Sequence, residues 1–136
     1  MADRQEQMLR TAFVVGAVTD ALALVPMLFP SMARLLWGFD DPSGSYRFAM
    51  GYGASLMLGW TALLVWAARR PLERRFVAPL TVLVIYGLVV TEVAAVHAGT
   101  LSAARIAPTW VLQAVLLVLF AGAYHAPALR RLASRT

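Results

Sequence analysis

Four apolar stretches, residues 11–29, 48–68, 76–97 and 106–126, occupy most of a 136-residue chain. Each is close to the ~20 residues with which an α-helix crosses ~30 Å of hydrocarbon. None shows the period-two alternation of a membrane β-strand, and all are too long for one. A soluble core is no alternative. Hydrophobic residues make up 60% of the chain and charged residues 14%, against about 45–50% and about 25% in an ordinary soluble domain. A chain this short has too much surface to hide that much apolar side chain from water. Disorder, which needs low hydrophobicity and high charge, is excluded by the same composition. The expected fold is all-α: a single integral membrane domain, folded as a four-helix transmembrane bundle in contact with the lipid bilayer.

The links between the stretches are short, so successive helices run up-down-up-down. The first link carries the turn formers Pro30, Asp40, Asp41, Pro42, Ser43, Gly44 and Ser45. Within it, residues 31–37 read as a short interfacial helix, with Arg34 snorkelling while Leu35, Leu36 and Trp37 sit at headgroup depth. The second link holds Arg69, Arg70, Pro71, Glu73, Arg74 and Arg75, and the third runs over residues 99–105. Tyr46, Trp37 and Trp110 are expected in one aromatic belt and Trp66 in the other.

The basic residues number 12, all of them Arg, and the net charge is +5. They lie between apolar runs and form no basic face on a soluble module, so nucleic acid is not expected as a partner. They read as topology instead. Nine of them (Arg4, Arg10, Arg69, Arg70, Arg74, Arg75, Arg130, Arg131 and Arg135) share one side, and three (Arg34, Arg47 and Arg105) share the other. The positive-inside rule then puts both termini in the cytoplasm, with the chain in the cell's inner membrane. A cleaved signal peptide is not expected. Asp3 and Glu6 precede the first run, which is also too long for an h-region.

Small residues suggest how the helices pack. Gly51, Ser55 and Gly59 are spaced by four and so share a face, where they permit close backbone approach. Gly53 broadens that groove. Gly87 with Thr91, and Gly16 with Asp20, are similar pairs. The Gly51 stripe fits packing within the bundle or a homo-oligomer face. Pro26 is expected to kink the first helix, while Pro79 and Pro108 fall in the first turns of the third and fourth, where proline is tolerated.

Polar groups at membrane depth are costly, about 2.5–3.5 kcal/mol for a central Asp or Arg on insertion scales. They are therefore the candidate ligand-binding or proton sites: Asp20, Arg47, Tyr52, Glu92 and Gln113. Asp20 is expected near the midplane, out of reach of Arg47. Glu92 is expected to pair with Arg47 on the same side, with Gln113 nearby. His97 and His125 fall near opposite faces, which argues against a shared haem. Glu92 with His97 gives only two metal ligands, so no metal is assigned. There is no cysteine, and no nucleophile, phosphate or dinucleotide motif appears. No cofactor and no catalytic residue is expected.

The stretch 46–75 includes Met50-Gly51-Tyr52-Gly53-Ala54-Ser55-Leu56-Met57-Leu58-Gly59-Trp60-Thr61 and Ala68-Arg69-Arg70-Pro71-Leu72-Glu73-Arg74-Arg75. It resembles small four-span bacterial membrane proteins of the DoxX-like group: an Arg at the start of helix two, glycines along it, and an Arg/Pro/Arg turn into helix three. The lysine often seen in helix one of that group has no counterpart here, where Asp20 stands as the only charge. The resemblance implies the fold and carries over no activity. Three functions fit the residues. One is binding or transport of a small lipophilic or amphiphilic molecule, including the small multidrug type of exporter with its embedded carboxylate. Another is an accessory subunit of a membrane complex. The third is an intramembrane acid–base isomerase using Asp20 and Glu92.

Overall fold

The computed structural model describes residues 2–39 and 43–133, with side chains over 4–39 and 43–125. Asp40, Asp41, Pro42 and Arg135 lie outside the described residues, as do the side chains of Asp3, Arg130 and Arg131. Five helices follow one another: α1 (Ala2–Leu28), α2 (Pro30–Trp37), α3 (Gly44–Arg69), α4 (Val77–His97) and α5 (Ala103–Ala133). All but α2 are long and apolar enough to cross a membrane. The chain is an all-helical, multi-pass membrane bundle, with the short α2 following the first span.

Local chemistry sets the helix ends. Ser43 caps α3, its hydroxyl accepting from the Tyr46 N–H at 3.2 Å. Pro30 opens α2, and Gly38 closes it in the left-handed region at φ 78°. A side chain at Gly38 would be strained by that φ and would also run into the Arg105 guanidinium. α1 continues through Pro26 and ends two residues later, at Leu28. α5 starts earlier than its apolar run, at Ala103, because the Ser102 carbonyl accepts from the N–H groups of Arg105 and Ile106. Pro108 therefore lies in the second turn of α5 and not in the first. The carbonyl it leaves unpaired belongs to Ala104, which is exposed. Five hydroxyls (Thr19, Ser55, Thr61, Thr81 and Thr91) donate to carbonyls of their own helices at 2.8–2.9 Å, so none of these bonds joins two helices.

α1 packs on α3 and α5, and α5 packs on α4, whereas α3 and α4 hardly touch. The bundle thus has a seam between α3 and α4. That seam is filled only on the side that carries the chain ends and the 70–76 connection, here the terminal side. There Leu9, Phe13, Leu64, Ala67, Ala78, Ile85, Leu116 and Phe120 form one buried cluster drawn from all four long helices. Phe13 and Phe120 meet at 6.0 Å between ring centroids. Gly16 lets this happen: a Cβ there would sit 2.8 Å from Phe120 Cζ. Farther from the termini the packing thins. The buried residues of α4 are Val77, Ala78, Thr81 and Ile85, all in its first half.

The Gly51, Ser55 and Gly59 stripe does not pack inside this bundle. All three residues are exposed, and a Cβ on Gly51 or Gly59 would meet nothing within 4 Å. The close approaches of α3 use Gly53, against Met27, and Leu64, against Gly16.

Candidate functional site

A polar cluster on α4 and α5 lies beyond the main apolar cluster, on the side away from the termini. Gln113 continues the inward face of α5, seven residues before Phe120 and seven after Ile106, and is only 6% exposed. Its Nε2 donates to Glu92 Oε1 at 2.9 Å, joining α5 to the half-buried Glu92 of α4. Gln113 Oε1 is left buried without a hydrogen-bond partner, and the buried Trp110 Nε1 is a second donor facing the Glu92 carboxylate. Trp110 precedes Gln113 by three residues, so it shares a helix face with it, and its indole lies beside the Glu92 carboxylate. Buried polar atoms are nearly always paired, by protein or by ordered water, because leaving them bare costs a desolvation penalty.

The contacts fix relative depth. Gly16 abuts Leu64 and Phe120, and Met27 abuts Gly53. Counting along the antiparallel helices from these points sets Asp20 level with Trp60, with Gln113 and Glu92 within about one turn of them. Asp20 lies one turn after Gly16 on the inward face of α1 and is half-buried. No described residue gives it a hydrogen bond or an ion pair. The Trp60 Nε1 at the same level is likewise buried and unpaired. Two carboxylates and an amide thus share one layer of the bundle, with no arginine in it.

Arg47 is elsewhere. It lies about three turns from that layer, toward α2, roughly 16 Å along the helix axis at 1.5 Å per residue. The ion pairs among described residues are Arg10–Glu6 at 2.8 Å and Arg70–Glu73 at 3.4 Å, both within one helix or turn. The expected Glu92–Arg47 pair is not formed. Its two helices are the ones that do not meet, and the depths differ. Arg47 instead lines a separate pocket with Met27, Leu28, Pro30, Tyr46 and Met50. Tyr52 stands on the outer surface of α3, 64% exposed and stacked on Phe48 at 6.5 Å.

From the sequence, Trp110 belongs to an aromatic belt and Trp60 has no assigned role. The spacing of Trp110 to Gln113, three residues on one helix face, was the available signal. Trp37, Phe39 and Tyr46 do form an aromatic chain at 5.6–5.9 Å near α2, and the Arg74 guanidinium lies 3.5 Å over the Trp66 ring on the terminal side. Among the described residues no three acidic or histidine side chains converge as a metal-ion site requires. Comparison with protein-family models, with curated proteins and with solved structures found no match.

Proposed function

We propose that this membrane protein binds a small lipophilic or amphiphilic molecule inside the bundle, with the molecule's polar head on Glu92, Gln113 and Trp110 and with Asp20 close by. One observation carries the reading: a buried Glu92–Gln113 hydrogen bond, with the Trp110 indole beside it and Gln113 Oε1 unpaired, lies beyond the main apolar cluster on the side away from the termini. Gln113 Oε1 is an acceptor and the layer holds two carboxylates, so the head that fits donates hydrogen bonds and is neutral or cationic. The arginine asymmetry supports both termini in the cytoplasm and an inner-membrane location, with the polar layer toward the outer leaflet. The Arg, Gly and Arg/Pro/Arg pattern over residues 46–75 supports a resemblance to small bacterial four-span proteins of the DoxX-like kind.

Tryptophan quenching tests the site directly. In a variant retaining only Trp110, with Trp37, Trp60 and Trp66 changed to Phe, a brominated long-chain alkylamine should quench emission saturably. Glu92→Gln and Gln113→Leu should remove the saturable part. Equal, non-saturating quenching in all three proteins would discard the reading.

The second reading is a non-catalytic accessory subunit of a membrane complex, or a homo-oligomer. It is favoured by the exposed Gly51, Ser55 and Gly59 face, which this chain leaves uncovered.

A further inference from the structure

The pocket at the α1–α2–α3 junction has the opposite electrostatic character to the polar layer. Its volume is about 250 Å³. Met27, Leu28, Pro30 and Met50 wall it with apolar surface, and Tyr46 and Arg47 supply its polar groups. The Tyr46 hydroxyl is buried with no hydrogen-bond partner. Arg47 is exposed, and its side chain forms no hydrogen bond or ion pair among the described residues. A guanidinium and a phenol O–H are both donors, so the group they suit is an acceptor carrying negative charge.

The depth is that of a headgroup. α1 ends at Leu28 and α3 begins at Gly44, so Tyr46 and Arg47 lie at the membrane boundary of their spans. Gly51 forms part of the pocket wall and lacks a side chain to close it toward the bilayer. From Gly51 the same face of α3 continues through Ser55 and Gly59, one turn at a time. A Cβ would meet nothing within 4 Å at either glycine. α3 is also the least covered span: 11% of its most apolar stretch is buried, against 22–28% for the others. The pocket therefore opens onto a shallow track leading into the hydrocarbon.

We propose that this junction is a binding site for an anionic amphiphile: a phosphate or carboxylate head held by Arg47 and Tyr46, with its alkyl chain lying along Gly51, Ser55 and Gly59. The site is independent of the Glu92 layer, which suits the opposite kind of head.

Native mass spectrometry of the full chain, released from detergent after incubation with single lipids, tests it. The probes are phosphatidylglycerol, phosphatidylcholine and oleic acid. Phosphatidylglycerol or oleate should stay bound at collision energies that strip phosphatidylcholine, and whichever is retained names the head as phosphate or carboxylate. Arg47→Gln should cut the retained fraction about tenfold, the loss of a charge-assisted hydrogen bond. Tyr46→Phe should cut it a few-fold and keeps the test open if Arg47→Gln fails to fold. Gly51→Leu should block the track. Arg75→Gln, at the other side of the membrane, should change nothing. Equal retention of all three lipids overturns the proposal. So does unchanged retention in Arg47→Gln and Tyr46→Phe, or an equal fall in Arg75→Gln.

Discussion

Toward the chain ends, four helices meet around Phe13, Leu64, Ile85 and Phe120, with Thr81 buried nearby and its hydroxyl satisfied within its own helix. Toward α2, the same helices bring Asp20, Trp60, Glu92, Trp110 and Gln113 to one layer, where Gln113 bonds Glu92 at 2.9 Å and the Trp110 indole faces the same carboxylate. Bilayer physics explains why both halves stand. Lipid tails are as apolar as the helices, so a dry interface is held by close fit and not by escape from water. Gly16 and Phe120 supply that fit on the terminal side. The layer beyond sacrifices fit for polar groups, an arrangement suited to binding and poor for rigidity.

The largest effects should therefore come from the dry half. Phe120→Ala removes a fully buried ring in contact with Phe13 and Gly16. It should destabilise the bundle by about 3 kcal/mol, the low end for a buried Phe→Ala, because the transfer term is small in lipid. Gly16→Leu overpacks the same spot and should cost about 1–3 kcal/mol. Val93→Ala, on the exposed second half of α4, should stay within about 0.5 kcal/mol. Unfolding in mixed detergent, followed by circular dichroism, gives the three values. A Val93→Ala cost equal to that of Phe120→Ala would erase the distinction between the halves.

The polar layer should respond less, and in a different pattern. Gln113→Leu breaks the interhelical bond and leaves Glu92 with the Trp110 indole alone. About 1 kcal/mol is expected, since hydrogen bonds between membrane helices average about 0.6 kcal/mol and a charged partner adds to that. Replacing both partners by Leu should recover part of the loss, because no buried polar atom is then left bare. A double variant whose loss equals the sum of the two single losses would mean that the two side chains act separately.

Much of this architecture was legible before any coordinates. The four runs, their lengths and the arginines between them define the spans, and residues 31–37 read correctly as a short helix. Two features resisted. The links show that successive helices are antiparallel, but they do not show which helices touch. α3 and α4 share a short connection and yet hardly meet, so an ion pair between Arg47 and Glu92 looked reasonable and does not exist. Small-residue spacing was the other. Gly51, Ser55 and Gly59 form the more regular pattern, whereas the glycines that carry close packing are Gly16 and Gly53. A four-residue period places residues on one face of a helix. It carries no information on what that face meets. Glu92 and Gln113 were visible as costly polar groups at membrane depth. Their bond depended on the register of α4 against α5, which the sequence does not encode locally.

The smallest expected change is the most informative about the outer surface. Gly59→Leu puts a large side chain where a Cβ meets nothing within 4 Å. In an isolated chain it should therefore leave stability within about 0.5 kcal/mol of the parent, and the better helix propensity of Leu pulls in the stabilising direction. The same substitution in a protein whose α3 face is covered would block close approach and release the partner. Gly53→Leu is the companion measurement, because Met27 Cε already lies 2.9 Å from a Cβ at that site. It should destabilise the chain whether or not a partner is present. Size-exclusion chromatography with light scattering separates the cases. Gly59→Leu with the parent's mass and midpoint assigns this face to lipid. A lower mass at an unchanged midpoint assigns it to another helix, and α3 then has two packed faces in place of one.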